Sequence, residues 1–217
     1  MPDRYPGYDV LSKRHTPSWN EQTRRVIDAR LAVPREPRFF TEEEWTTLNA
    51  ICERIVPQPR DREPIPVAAL VDRKMHGNDG DGYRDARMPS MQEAWRRGLR
   101  AIDEEAHRAS GAAFHRLDAA ERDALLGRMQ KGELTHAEAW GGMPCALFFN
   151  NRMLHDIVHA YYSHPTAWNE IGWGGPDSPR GYVRMGFNRR DPWEAAEAHD
   201  KSDAETARQE NERVGRR

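Results

Sequence analysis

The chain has 217 residues, of which 37% are apolar and 31% charged, with a mean hydropathy of -0.95 and a formal net charge of -2. That balance leaves no positive field to hold a nucleic-acid backbone, and no stretch approaches the roughly 20 apolar residues that span a bilayer. Seven Trp, six Tyr and six Phe exclude wholesale disorder and point to a compact domain with polar tails, or to one whose core another protein completes.

The first 18 residues carry Pro2, Pro6, Gly7 and Pro17 and little periodicity, so they read as an extended arm. No apolar run suits this stretch to secretion, and Arg24-Arg25 is not followed by the greasy segment of a twin-arginine leader. Ser18 to Leu31 predicts a helix with Val26, Ile27, Arg30 and Leu31 on one side, ended by Pro34 and Pro37. Thr41 and Glu44 form a capping box flanked by a Phe40/Trp45 staple, and Leu48, Ile51 and Ile55 follow at helical spacing up to Pro57. A proline-rich loop over 58–66 precedes a short helix from Val67 to Met75, stopped by the turn Gly77 to Gly82.

Met91, Trp95, Leu99, Ile102 and Ala106 mark a long helix from Met91 to Ser110. Asp118 and Glu121 make a second box, Leu125, Leu126 and Met129 give that helix its apolar face, and Gly132 closes it. Thr135 and Glu138 repeat the cap pattern over about one turn. From Cys145 to Tyr162, Leu147, Leu154, Val158 and Tyr161 predict one continuous stripe, with Phe148, Phe149 and Ile157 beside it. Beyond Ser163 the chain mixes glycine and proline with Trp168, Ile171, Trp173, Tyr182 and Val183, which predicts an ordered, irregular loop lying across something. Asp191-Pro192-Trp193-Glu194 has the marks of a helix start, but 195–217 has no apolar face and reads as a charged helix or frayed tail. The expectation is an all-α, irregular helical bundle: an arm over 1–37, the bundle over 38–163, a docking segment over 164–190 and a charged end over 191–217.

Few patterns carry chemistry. His155 and His159 sit four apart on a helix with Asp156 between them and His164 close by, a spacing that can bring imidazoles to one metal ion. With no third ligand marked, histidines beside a bundle core are the ordinary reading. Gly172-Trp173-Gly174-Gly175 lacks a preceding strand and the dinucleotide pattern, so a tight turn against a partner fits it better than a phosphate cradle. Cys52 and Cys145 read as packed thiols rather than a disulfide, although Cys145 follows Pro144 at a helix start, where a thiol can become nucleophilic. No carboxylate pair stands out.

The order and spacing of several segments resemble the small third subunit of gluconate 2-dehydrogenase and its relatives. The resemblance begins at Phe39-Phe40-Thr41-Glu42-Glu43-Glu44-Trp45, runs through Leu48 to Pro57, Gly98-Leu99, Ile102-Asp103 and Phe114 to Leu117, and ends in Tyr161-Tyr162-Ser163-His164-Pro165, Gly172 to Pro176 and Arg180-Gly181-Tyr182. It implies a subunit without flavin or haem. Its partner would be a large FAD-dependent sugar or polyol dehydrogenase of the glucose-methanol-choline type, with a cytochrome c subunit as a further associate. The implied place is the cytoplasm, or the periplasm if a signal-bearing partner exports the complex. Concentrated aromatics in a polar chain suit the same reading, with Trp19, Trp168, Trp173 and Tyr182 as anchors, Gly174 and Gly175 at the close approach, and an interface of about 2,000 Å² or more. The competing expectations are a metal-dependent enzyme built on His155 and His159, and a freestanding helical scaffold. A histidine lent to the partner's substrate pocket is a further alternative.

Overall fold

The computed structural model describes residues 3–214 except Thr135, Pro179, Arg180 and Lys201. The cap at Thr135 and the Arg180 of the closing motif therefore lie outside the described residues. Those residues form an all-α, irregular arrangement with no strand, only an isolated parallel bridge between Trp19 and Ser178. Two compact units partition the chain. A continuous unit takes Val33–Tyr161; a split unit joins the described residues of Met1–Ala32 and Tyr162–Arg217.

The helices in chain order are α1 (Glu21–Leu31), α2 (Glu42–Ile55), α3 (Val67–Gly77), α4 (Met91–Ser110), α5 (Ala119–Lys131), α6 (Ala137–Trp140), α7 (Cys145–Phe148), α8 (Leu154–Tyr162), α9 (Pro165–Ile171) and α10 (Ala204–Asn211). In the continuous unit both expected capping boxes form. Thr41 accepts from the Glu44 N–H while Glu44 reaches back, and Asp118 and Glu121 do the same at α5. Helix α2 packs on α3, α4 and α5, and α4 also packs on α6. The α4 stripe Met91, Trp95, Leu99, Ile102 and Ala106 is buried as its spacing predicts, each large side chain contributing about 1.5–3 kcal/mol. Trp95 lies edge-on to Phe148 with ring centroids 5.6 Å apart.

Four expectations need correction. The stretch from Cys145 to Tyr162 is not one regular helix, because a π segment at Phe149–Met153 separates α7 from α8. Its wider turn lets Phe148 and Phe149 both face the core and shifts the phase beyond them. Burial passes to Met153, Asp156, Ile157, Ala160 and Tyr161, leaving Leu147, Leu154 and Val158 half-buried. The glycine-rich segment opens with a helix, α9, whose first turn holds Pro165 and whose cap is His164. At Asp191-Pro192-Trp193-Glu194 no helix starts. The Asp191 N–H does donate to Glu194 (3.2 Å), but the Asp191 carboxylate accepts the Met185 N–H (3.1 Å) instead of capping a turn. A helix, α10, comes later.

The fourth correction concerns the arm. Residues 8–19 are built into the split unit, where Tyr8, Val10 and Trp19 join Ile27, Trp168, Trp193 and Val214 in one buried cluster. Val10 opens a 3₁₀ turn to Lys13, capped by Asp9, and its N–H donates to Asn169 (2.8 Å). Asn211 accepts the Ala196 N–H (2.7 Å) and donates to the carbonyl of Pro6 (2.9 Å), closing the two separated stretches on each other.

Candidate docking surface and metal-ligand cluster

The split unit builds a surface from a buried floor. Lys13 is fully buried, with its ammonium 2.8 Å from Asp177 and 5.7 Å from the centre of the Trp19 ring. An ion this deep is tolerable only when paired, so Asp177 fixes both the lysine and the loop that carries it. The Tyr8 hydroxyl donates to the Trp193 carbonyl (3.2 Å); burial, then the charges of Asp177, Asp9 and Glu194, push its pKa up and keep it a donor. Trp168 donates its ring N–H to the Tyr162 carbonyl (2.6 Å) and stands edge-on to Trp173 at 4.9 Å.

The glycines between these rings have a steric reason. A side chain at Gly172 would place its Cβ 2.3 Å from the Tyr5 ring, and one at Gly175 would come within 2.9 Å of the Trp168 ring. Both residues also adopt positive φ, so the chain turns tightly while lying flat on aromatic faces. Gly174 passes over the Lys13 ammonium, where a Cβ would sit at 3.3 Å.

The expected anchors therefore divide. Trp19 and Trp168 are 2% and 1% exposed; their rings form the floor and offer no face to another protein. Trp173 (39%) and Tyr182 (66%) are exposed and line an open cavity of about 890 Å³ together with the more buried Lys13, Asp177 and Trp193. Beside it Val183, Met185 and Phe187, which the residue pattern did not single out together, are 79%, 76% and 94% exposed. Their apolar type within a glycine-rich stretch was the available signal.

The histidines divide as well. His155 and His159 are exposed on α8 with ring centroids 6.0 Å apart. His164 is buried, and its Nδ1 accepts the Thr166 N–H (3.3 Å) as the cap of α9. The donor set that geometry does gather is Asp81, His155 and Asp156, with atoms within 4.8 Å of one another. Both carboxylates already have cations. Asp156, buried to 2%, accepts from Trp95 Nε1 (2.8 Å) and from Lys74 (2.8 Å), with Arg152 at 3.5 Å. Asp81 pairs with the same Lys74 and Arg152, each at 2.6 Å. Burial pushes the Asp81 carboxyl up, yet the hydrogen bonds from Lys74 and Arg152 outweigh it and hold the group below the usual range. A metal ion would have to displace two cations from this network, so the geometry favours a structural ion cluster. The residue pattern places Asp156 beside the histidines but does not show its role: an acid inside Leu154-His155-Asp156-Ile157-Val158 is a buried charge that needs partners.

Both cysteines are buried free thiols. Burial pushes the Cys52 thiol up, and Cys145 donates to the Leu134 carbonyl (3.3 Å), so neither has the setting of a nucleophile. Among the described residues no helix is long and apolar enough to cross a membrane.

A family model described as gluconate 2-dehydrogenase subunit 3 matches residues 42–175. No curated protein and no solved structure matches the chain.

Proposed function

Since the chain belongs to the gluconate 2-dehydrogenase subunit 3 family and is thereby a small accessory subunit of a dehydrogenase complex, we propose that its partner is a large FAD-dependent dehydrogenase of the glucose-methanol-choline type acting on a sugar or glycoside. In this reading the flavin sits in the partner, and the chain stabilises and matures it. A cytochrome c subunit can then take the electrons, and the complex resides in whichever compartment the partner's signal dictates.

The observation that carries the reading is the exposed aromatic rim of Trp173 and Tyr182 over a rigid floor of buried tryptophans. Such rings contribute large contact area at little loss of rotamer freedom, the usual character of an interface hot spot. An exposed rim of this kind also counts against a freestanding scaffold. The metal-enzyme reading is disfavoured by the cations already seated on Asp81 and Asp156.

Co-expression with a large FAD-dependent dehydrogenase of that type tests the proposal. The two chains should co-elute with flavin bound, and the flavoprotein expressed alone should be depleted in soluble, flavin-loaded form. Trp173→Ala should weaken co-elution. Equal yield and flavin content with and without the chain would overturn the proposal.

A further inference from the structure

The segment after the aromatic rim is not a slack loop. Arg189 donates its N–H to the Gly186 carbonyl (3.2 Å) and Asn188 takes φ +53°, which together make a type II turn with Phe187 at its corner. Behind the corner, the Met185 N–H is held by the buried Asp191 carboxylate (3.1 Å), and the Arg184 guanidinium grips Glu194 with two nitrogens at 2.8 to 3.1 Å. Arg190 pairs with Glu210 (3.0 Å) and donates to the Ala195 carbonyl (3.0 Å). The result is a braced hook that presents Tyr182, Val183, Met185 and Phe187 to solvent.

We infer that this hook inserts into an apolar cleft on the catalytic subunit and anchors the chain there; the inference rests on the accessory-subunit reading above. Three observations commit it to that occupant. The bracing orders the hook before any encounter, which lowers the entropy lost on docking and suits a preformed protein cleft. Its arginines are largely neutralised within the chain. Arg184 and Arg190 have carboxylate partners, and Arg189 is the one hook cation without an ion pair among the described residues. An anionic lipid surface needs a cluster of available cations, whereas an apolar cleft with one acidic group at its rim matches what the hook offers. Finally, the hook is continuous with the Trp173–Tyr182 rim, so it extends the same surface toward the same partner.

The test uses the full chain with Phe187→Ser and Met185→Ser combined, titrated against the purified catalytic subunit. Both side chains are more than three-quarters exposed, so melting of the free variant should match the parent. Affinity should fall roughly 30-fold or more, the loss typical of removing a hot spot. A fall of that size in a variant that melts normally supports the inference. Unaltered affinity overturns it while leaving the accessory role intact. If the parent chain itself fails to bind the catalytic subunit, the accessory reading falls and the hook inference falls with it. Should the substitutions leave the complex intact but abolish binding to phosphatidylserine vesicles, or abolish self-association, the occupant is a lipid surface or a second copy and the inference is wrong.

Discussion

The two units bury their polar groups in different ways. The continuous unit hides a carboxylate, Asp156, inside a helical core, and recruits Trp95, Lys74 and Arg152 from helices and turns close around it. The split unit hides a cation, Lys13, beneath aromatic rings, and its closing bonds join residues far apart in sequence: Val10 to Asn169, Asn211 to Pro6, Lys13 to Asp177. Periodic helices fix the first arrangement. Side chains bonding to backbone and to each other across long loops fix the second. The family match covers most of the continuous unit but reaches only residues 162–175 of the split one. The matched span is thus mostly the part with a regular helical pattern.

If the contrast is sound, damage to each core should stay in its own unit. Trp168→Ala should cost about 3–5 kcal/mol, the range for emptying a buried tryptophan site. Amide exchange should then speed up in 3–32 and 162–214 while the α4 amides keep their protection; equal loss in both stretches would erase the distinction. Asp156→Ala is the reverse case. It leaves the Trp95 N–H without its acceptor and strips one carboxylate from Lys74 and Arg152, for a loss of about 3 kcal/mol that exchange should confine to 33–161.

The smallest effect sharpens the comparison through pH. Asp81 has a carboxyl pKa below its ordinary value, so its contribution is present above about pH 4 and disappears as the pH falls through the folded value. Asp81→Asn should lower the neutral plateau slightly and flatten the acid limb of the stability profile, as followed by urea midpoints from pH 2 to 7. An acid limb as steep as the parent's would show that other carboxylates set it.

What the residues foretold tracks the same divide. Capping boxes at Thr41 and Asp118 and the stripe of α4 are local patterns, each complete within a few turns, and all three form. The π segment is not legible, because nothing in Phe149-Asn150-Asn151-Arg152-Met153 announces a wider turn, though both Phe148 and Phe149 end up buried. The first 18 residues read as an arm because Pro2, Pro6, Gly7 and Pro17 break their periodicity, whereas Tyr8 and Val10, with Trp19, share a cluster with Trp168, Trp193 and Val214, more than a hundred residues away. At the candidate site, aromatic content pointed to the right stretch. It could not tell the floor, Trp19 and Trp168, from the rim, Trp173 and Tyr182, since that depends on which face the glycines let the chain press down.

The bond from Asn211 to Pro6 has a bearing on how the chain is made. Residues 33–161 form a compact unit continuous in sequence, the kind of body that can fold while still emerging from the ribosome. The opening thirty residues leave first yet must idle until the stretch around 196–214 arrives to clasp them. A translation product broken off before that point would own the helical body of 33–161 but lack the clasp on Pro6 and the closed aromatic cluster.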